Sequence, residues 1–536
     1  MRLFLCFFLV AGSLYSATTY VSDGSQADVQ TKLTGAADGD TVTIPPGSFT
    51  WASAVTITGK GVHLQGAGAG RVVARSLTSI AVGTGAKVFT LATENLSNFE
   101  ALKSVITNGT TLKIWRTGGE HLGVLNYSTG NLPWMRGTVT SLVGTTLTMD
   151  ITSTNHSGTH GMWIVTTEAS TTIRHNLNNA PILNIYEDAT NAVEVSGIRF
   201  EHYPGVTGQA NFIKTFGTAA KPILIHDCYF EMGVGTFGIR TQTNKGVIWN
   251  CSFVAMPFGS TNTGGIYRDC AGETSSWSSV STMGTGDTTG LSNFYVESCD
   301  FHAMEDAQDF DSFSRTVVRY CLLNNAGMSA HGADTSDYGV RHFEVYNCET
   351  IFDAIGTETI NINFGFEWRG GTGLITNSTI PDINGYWGNK TDISLRIENL
   401  DRNAGPNPLW SDNDGQVPEY PCPRQVGMGR VTGTGLDGKG RSVDSTGTYV
   451  GDVEPIYIWN VTGAYTIGIA TSGYAQAINP DLASSYIQAG RDYFNNGTAK
   501  SGWTAYVYPH PLRTDAVAPT PRHMRPNQRG IILRRR

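Results

Sequence analysis

The chain has 536 residues, a net charge of −8, 63 glycines and only 15% charged residues. So few cations on an acidic chain exclude nucleic acid as a partner, because that binding rests on Lys and Arg neutralising phosphate. The same composition excludes long amphipathic helices and coiled coils, and although the length suggests about three or four domains, a solenoid holds it as one body.

Residues 1–17 read as a signal peptide, with Arg2 as the positive start, an apolar run over 3–11 and small residues over 12–17. The run is too short to span a bilayer, so a secreted, extracellular protein with no transmembrane anchor is expected. Residues 18–97 are assigned to an N-terminal cap and the first turns of a coil. Within them residues 25–33 form a short helix, and alternating β-branched residues at 40–47 and 54–66 form short strands broken by Gly and Pro.

The run of short helix, "GDTVTIPPGSF" and "VTITGKGVHLQGAG" resembles the opening of pectin lyase-like β-helix proteins, the superfamily of pectate lyases and polygalacturonases. The resemblance implies an all-β, right-handed single-stranded parallel β-helix whose first helix caps the open end. A cap is also a physical need, since the end of a solenoid exposes strand edges and core.

Residues 98–166 carry strand signals without the coil pattern and are expected to form a small β insertion. From 167 to 383 one pattern recurs: "ILIHDCYF", "VIWNCSF", "FYVESCDF", "VVRYCLL", "FEVYNC" and "LITNSTI", preceded by "VEVSGIRF". Their equivalent positions are Ile198, Cys228, Cys251, Cys299, Cys321, Cys348 and Ser378, spaced by 30, 23, 48, 22, 27 and 30 residues. One turn of such a coil takes about 22 residues or more, with extra length going into loops. The five cysteines are expected to stack inside the coil as small apolar residues, since parallel Cβ vectors disfavour disulfides and no second set of ligands converges for zinc. Cys270 and Cys422 lie outside this ladder and are left open as a pair. Residues 384–512 read as last turns, loops and a C-terminal cap, with a helix over 483–494 and a closing strand over 503–512. Residues 513–536 read as a disordered basic tail.

No short catalytic motif is present, so the candidate site rests on stacking. Ten residues past three successive ladder cysteines stand Asp309, His331 and Glu358, with Asp306, Asp311, Arg315 and Arg341 nearby. Carboxylates clustered with a His are what acid/base chemistry or a divalent cation requires. Trp368, Arg369, Tyr386 and Trp387 are the candidate sugar contacts. Polygalacturonases of this fold carry Asp-Asp, Gly-His-Gly and Arg-Ile-Lys. Here the matching stretches are Asp309-Phe310-Asp311, Ala330-His331-Gly332 and Arg396-Ile397-Glu398, each departing from the pattern by one residue. Lyases of the fold often use Ca²⁺ held by acids and an Arg or Lys base. That comparison makes Asp306, Asp309 and Asp311 candidate Ca²⁺ ligands and Arg315 or Arg341 the base. The expected function is cleavage of an acidic or pectin-like extracellular polysaccharide by a lyase or inverting glycoside hydrolase in a groove along the coil. The alternative is a non-catalytic glycan-binding adhesin or tailspike-like surface protein; a monomer and a trimer both stay open.

Overall fold

The computed structural model describes residues 17–513 with interruptions, the longest at 117–132, 203–210, 256–263, 271–286, 331–339, 353–364, 382–394, 398–425, 432–450 and 470–487. Two long sheets of parallel strands wind around one core, which makes the body a parallel β-helix. Each turn lays down three strands. The first sheet has twelve, from Thr19–Val21 through Val193–Ser196, Ile223–His226, Gly246–Trp249, Phe294–Glu297, Arg315–Arg319 and His342–Tyr346 to Tyr493–Phe494. The other sheet folds into a second and a third face. Strands such as Tyr229–Met232 and Ser252–Ala255 form the second, and Phe237–Thr241 and Gly264–Arg268 the third. Asp300–Phe310 and Leu322–Ala330 run across the corner and serve both faces.

The recurring sequence pattern is explained by the corner between the first sheet and the second face. Asp227, Asn250, Ser298, Tyr320, Asn347, Asn377 and Asn460 all have φ between +49° and +55°. One left-handed residue per turn bends the strand there, and Asn and Asp tolerate it best of the non-glycine residues. The next residue is the ladder position. Cys228, Cys251, Cys299, Cys321 and Cys348 are buried and carry no disulfide. Each thiol donates to the carbonyl two residues back, for example Cys299 Sγ to Glu297 O at 3.3 Å and Cys321 Sγ to Arg319 O at 3.3 Å. The expected cysteine ladder is therefore what forms. Cys270 is also buried, with Arg268 Nη2 3.5 Å from its sulfur; Cys422 lies outside the described residues.

Inside the coil, Val195, Ile225, Ile248, Val296, Val318, Val345, Ile375 and Ile458 stack in register on the first sheet, all buried. Phe200, Phe230, Phe253 and Phe301 stack on the second face with ring centroids 5.2, 4.7 and 4.8 Å apart, close to the strand spacing of about 4.8 Å. The helix Gln26–Gly35 closes the N-terminal end by burying Val29 and Leu33 against that core. Ser25 caps its start, and Lys60 Nζ donates to the carbonyls of Leu33, Thr34 and Ala36 at its end.

The insertion begins earlier than the sequence suggests. Its six-stranded antiparallel-built sheet includes Val72–Ser76 and Gly85–Thr90 as well as Thr111–Arg116, Trp134–Val143, Thr146–Thr154 and Trp163–Thr167. "VVARS" and "GAKVFT" carry the same β-branched signal as coil strands, so composition could not separate them. The insertion packs Val72, Trp115 and Ile164 on Tyr229 and Val254 of the second face. Farther along, Asn95 and Leu96 donate their backbone N–H groups to Glu349.

Two C-terminal expectations are corrected. The described part of the expected helix, residues 488–494, is a turn leading into the last strand of the first sheet. Residues 503–513 form no strand. They run back along the outside of the first sheet as a strap, held by side chains: Trp503 Nε1 donates to Glu344 at 2.9 Å, and fully buried Arg319 donates to the carbonyls of Tyr506 at 2.8 Å and Val507 at 2.7 Å. Arg513, expected in a loose tail, donates to Glu297 Oε2 at 3.3 Å. The remainder of that tail and residues 1–16 of the expected signal peptide lie outside the described residues. No described helix is long and apolar enough to cross a membrane.

Candidate active site on the third face

Two of the three outer faces carry other parts of the chain: the insertion lies on the second, and the strap lies on the first. On the third, period-two alternation sends Leu183, Ile213, Ile239 and Ile266 inward, all buried. The residues between them form an in-register outward row: Asn184, Lys214, Arg240, Tyr267, Asp309, Ser329 and Glu367. From Asn184 to Asp309 the row covers four turns, about 19 Å at the usual strand spacing.

The row changes chemistry along its length. At its N-terminal end Tyr186, 42% exposed, stacks on Phe216 with centroids 4.5 Å apart and planes 8° from parallel. Lys214 Nζ lies 4.5 Å from the Phe216 ring. Next, Arg240 sits 4.9 Å over the Tyr267 ring and pairs with Asp269 at 3.0 Å. The Tyr267 hydroxyl donates to Asp311 Oδ2 at 2.7 Å, while the Asp311 backbone N–H donates to Arg268 O at 2.7 Å. Burial, then the charges of Asp311 and Asp309, push the Tyr267 phenol far above its usual range, so it stays protonated and donating. Ser329 Oγ donates to Glu367 Oε2 at 3.3 Å. Asp309, Asp311 and Glu367 are buried, so this end is recessed.

The sequence-based site is partly relocated. Asp309 lies beside Tyr267 in register and Asp311 accepts from its hydroxyl, so Tyr267 stands between these two acids and Arg240. Within the described residues the register pairs Asp309 with Ser329, and Ser329 with Glu367; His331 and Glu358, expected beside Asp309, fall outside them. Equal offsets fail because the row lies 12, 16, 10, 8 and 19 residues past Cys228, Cys251, Cys299, Cys321 and Cys348. Asp300–Phe310 also spends extra residues in two register shifts against its neighbour. Asp306 is half-buried beside those shifts, and the carboxylate oxygens of Asp306, Asp309 and Asp311 do not converge within 4.8 Å of one another.

Arg315 and Arg341 lie away from the row. Arg315 begins a strand of the first sheet, where burial and then Arg341 lower its pKa; Arg341 is ion-paired to Glu454 at 2.6 Å. Trp368 is no sugar platform, for it points inward, 1% exposed, and stacks on Phe343. His331, Glu358, Arg369, Tyr386 and Trp387 lie outside the described residues. Sequence reasoning missed Tyr186, Lys214, Phe216, Arg240, Tyr267 and Glu367. The alternation of each short strand held the signal for all six, but only the register joins them.

No protein-family model matches the sequence, and no curated protein matches it. Among solved structures, an alginate lyase from Paenibacillus sp. str. FPU-7 shares 12% identity at a TM-score of 0.28, covering 72% of this chain and 96% of that one. The Gp54 tailspike of Acinetobacter baumannii bacteriophage AP22, solved with a capsular saccharide, shares 12% at a TM-score of 0.18, covering 81% and 75%. The catalytic domain of a GH87 alpha-1,3-glucanase shares 9% at a TM-score of 0.22, covering 60% and 88%. Likeness at this level leaves substrate and reaction to the chain's own residues.

Proposed function

We propose that the protein cleaves an acidic extracellular polysaccharide laid along the third face. The observation that carries this reading is the in-register row itself, with its stacked aromatics, then cations, then a recessed carboxylate group. The Tyr186–Phe216 pair offers flat apolar surface to a sugar ring, and Lys214 and Arg240 suit a uronate or another acidic substituent. At the far end Asp309 and Asp311 are two residues apart, which places their carboxyl groups on the order of 7 Å from each other along an extended chain. That separation suits one carboxyl acting as acid and the other as base across a glycosidic bond. The protonated Tyr267 phenol holds Asp311 as an oriented acceptor, ready to take a proton.

Elimination and hydrolysis use the same groups differently. In elimination Asp311 removes the proton α to the uronate carboxylate, Arg240 stabilises the developing charge, and the β C–O bond breaks as the leaving oxygen takes a proton from water, while Lys214 holds an acidic group farther along the chain. In inverting hydrolysis one carboxyl activates water and the other protonates the leaving oxygen. A screen of acidic polysaccharides against the full mature chain, with and without EDTA, separates them: ultraviolet absorbance of an unsaturated product means elimination, and reducing ends without absorbance mean hydrolysis. Loss of either signal on chelation would add a Ca²⁺ requirement. Binding with neither signal would replace the enzyme reading by that of a glycan-binding surface protein.

A further inference from the structure

On the outer surface of the first sheet, far from the row just described, three side chains from three consecutive turns meet. His63 comes from the strand His63–Gly66 before the insertion, and Glu194 and His226 from Val193–Ser196 and Ile223–His226 after it. The register places Glu194 beside His63 and Ser196 beside His226. His226 Nε2 lies 2.8 Å and His63 Nε2 3.5 Å from the same oxygen, Glu194 Oε1, and all three donor atoms fall within 4.8 Å of one another. Ligand atoms at bonds of about 2.0–2.1 Å around a tetrahedral ion are roughly 3.3 Å apart, so one ion fits between them with small side-chain adjustment.

The surroundings fix the ligands. His226 Nδ1 is 2.7 Å from Asp227 Oδ2, which holds the proton on that nitrogen and turns Nε2 toward Glu194. The ring also stacks on Trp249 at 4.2 Å with planes 9° apart. Asp227 is the left-handed corner residue of its turn, at φ +49°, so the sheet corner itself supplies the orienting carboxylate. His63 Nε2 is 2.7 Å from Ser196 Oγ, a hydroxyl that one χ rotation moves aside.

We propose that His63, Glu194 and His226 bind one divalent transition-metal ion of the zinc class, oriented by Asp227. Two imidazoles and one carboxylate suit zinc far better than calcium or magnesium, which take oxygen ligands. A fourth position is left for water. The ion ties the last first-sheet strand before the insertion to the two that follow it, across a chain interval of 163 residues from His63 to His226.

The test is titration of the untagged, EDTA-stripped full chain with Zn²⁺ by calorimetry, and with Co²⁺ by visible spectroscopy. The expected result is one ion per chain, a raised melting temperature, and a Co²⁺ d–d spectrum without thiolate charge transfer. Glu194→Gln and His226→Asn abolish this binding event while keeping the β circular-dichroism spectrum, and Asp227→Asn weakens it about 10- to 100-fold. Absence of binding, thiolate charge transfer, or variants that bind as the unsubstituted chain does would overturn the site and leave the three groups as a hydrogen-bonded triad.

Discussion

At the residue scale, the groups with the clearest measurable consequences are buried ionisable ones. Glu344 is fully buried between the first sheet and the strap, and burial raises its pKa to about 7 although Trp503 donates to it and Lys500, Arg319 and Arg315 oppose the rise. His342 faces it at 3.5 Å. A carboxyl whose folded pKa is raised binds its proton more tightly in the native state. Its contribution is therefore fully present below the unfolded value near 4.5 and is lost as pH rises through about 7. Denaturant titrations of wild type and Glu344→Gln between pH 4 and 8 should diverge by a few kcal/mol across that window, with only the wild type losing this increment as pH rises. Parallel curves would show that Glu344 does not titrate there. At the site, Tyr267→Phe removes the phenolic donor to Asp311. A hydrogen bond to a charged group contributes about 1.5–3 kcal/mol, so kcat on the substrate found in the screen should fall roughly 10- to 100-fold with KM little changed.

Elements show where one-dimensional reading works and where it stops. The cysteine ladder was legible because each Cys follows a left-handed corner of fixed construction, so spacing in sequence became stacking in space. Its thiols are dry, and burial pushes those of Cys251, Cys299 and Cys321 well above the ordinary thiol range. These ladder thiols should ignore an aromatic disulfide reagent in native buffer and react once guanidinium is added; fast native labelling of the ladder, mapped by peptide analysis, would contradict this. The strap was not legible. Its contacts are long-range, between Arg319 and carbonyls 187 and 188 residues later, and nothing in "WTAYVYPHPL" distinguishes an edge strand from a segment lying flat on a sheet. Arg319 also donates to Glu297. Removing one partner of a buried pair typically costs about 3–5 kcal/mol. Arg319→Met should lower stability on that order and make residues 503–513 more sensitive to limited proteolysis than in the unsubstituted chain.

For the whole molecule, the parallel β-helix, its helical cap and the presence of an insertion are legible in the sequence, because a solenoid repeats one local solution many times. Position within the turn could be read only near the corner. Past it, loops of unequal length destroy constant offsets, which is why the offset rule set Asp309 beside His331 and Glu358 and not beside its neighbours in register, Ser329 and Glu367. The same architecture assigns the faces. The second carries the insertion and the first carries the strap, while the third displays a continuous row running from aromatic through cationic to acidic. If this row cleaves glycans, wild type must differ sharply from Asp309→Asn and Asp311→Asn on the best substrate of the polysaccharide screen, with cleavage and glycan retention measured together. Turnover should fall about 10²- to 10⁴-fold in at least one carboxamide variant, with folding and glycan retention preserved. Unchanged cleavage in both variants would place the chemistry elsewhere on the coil and contradict this role for the row.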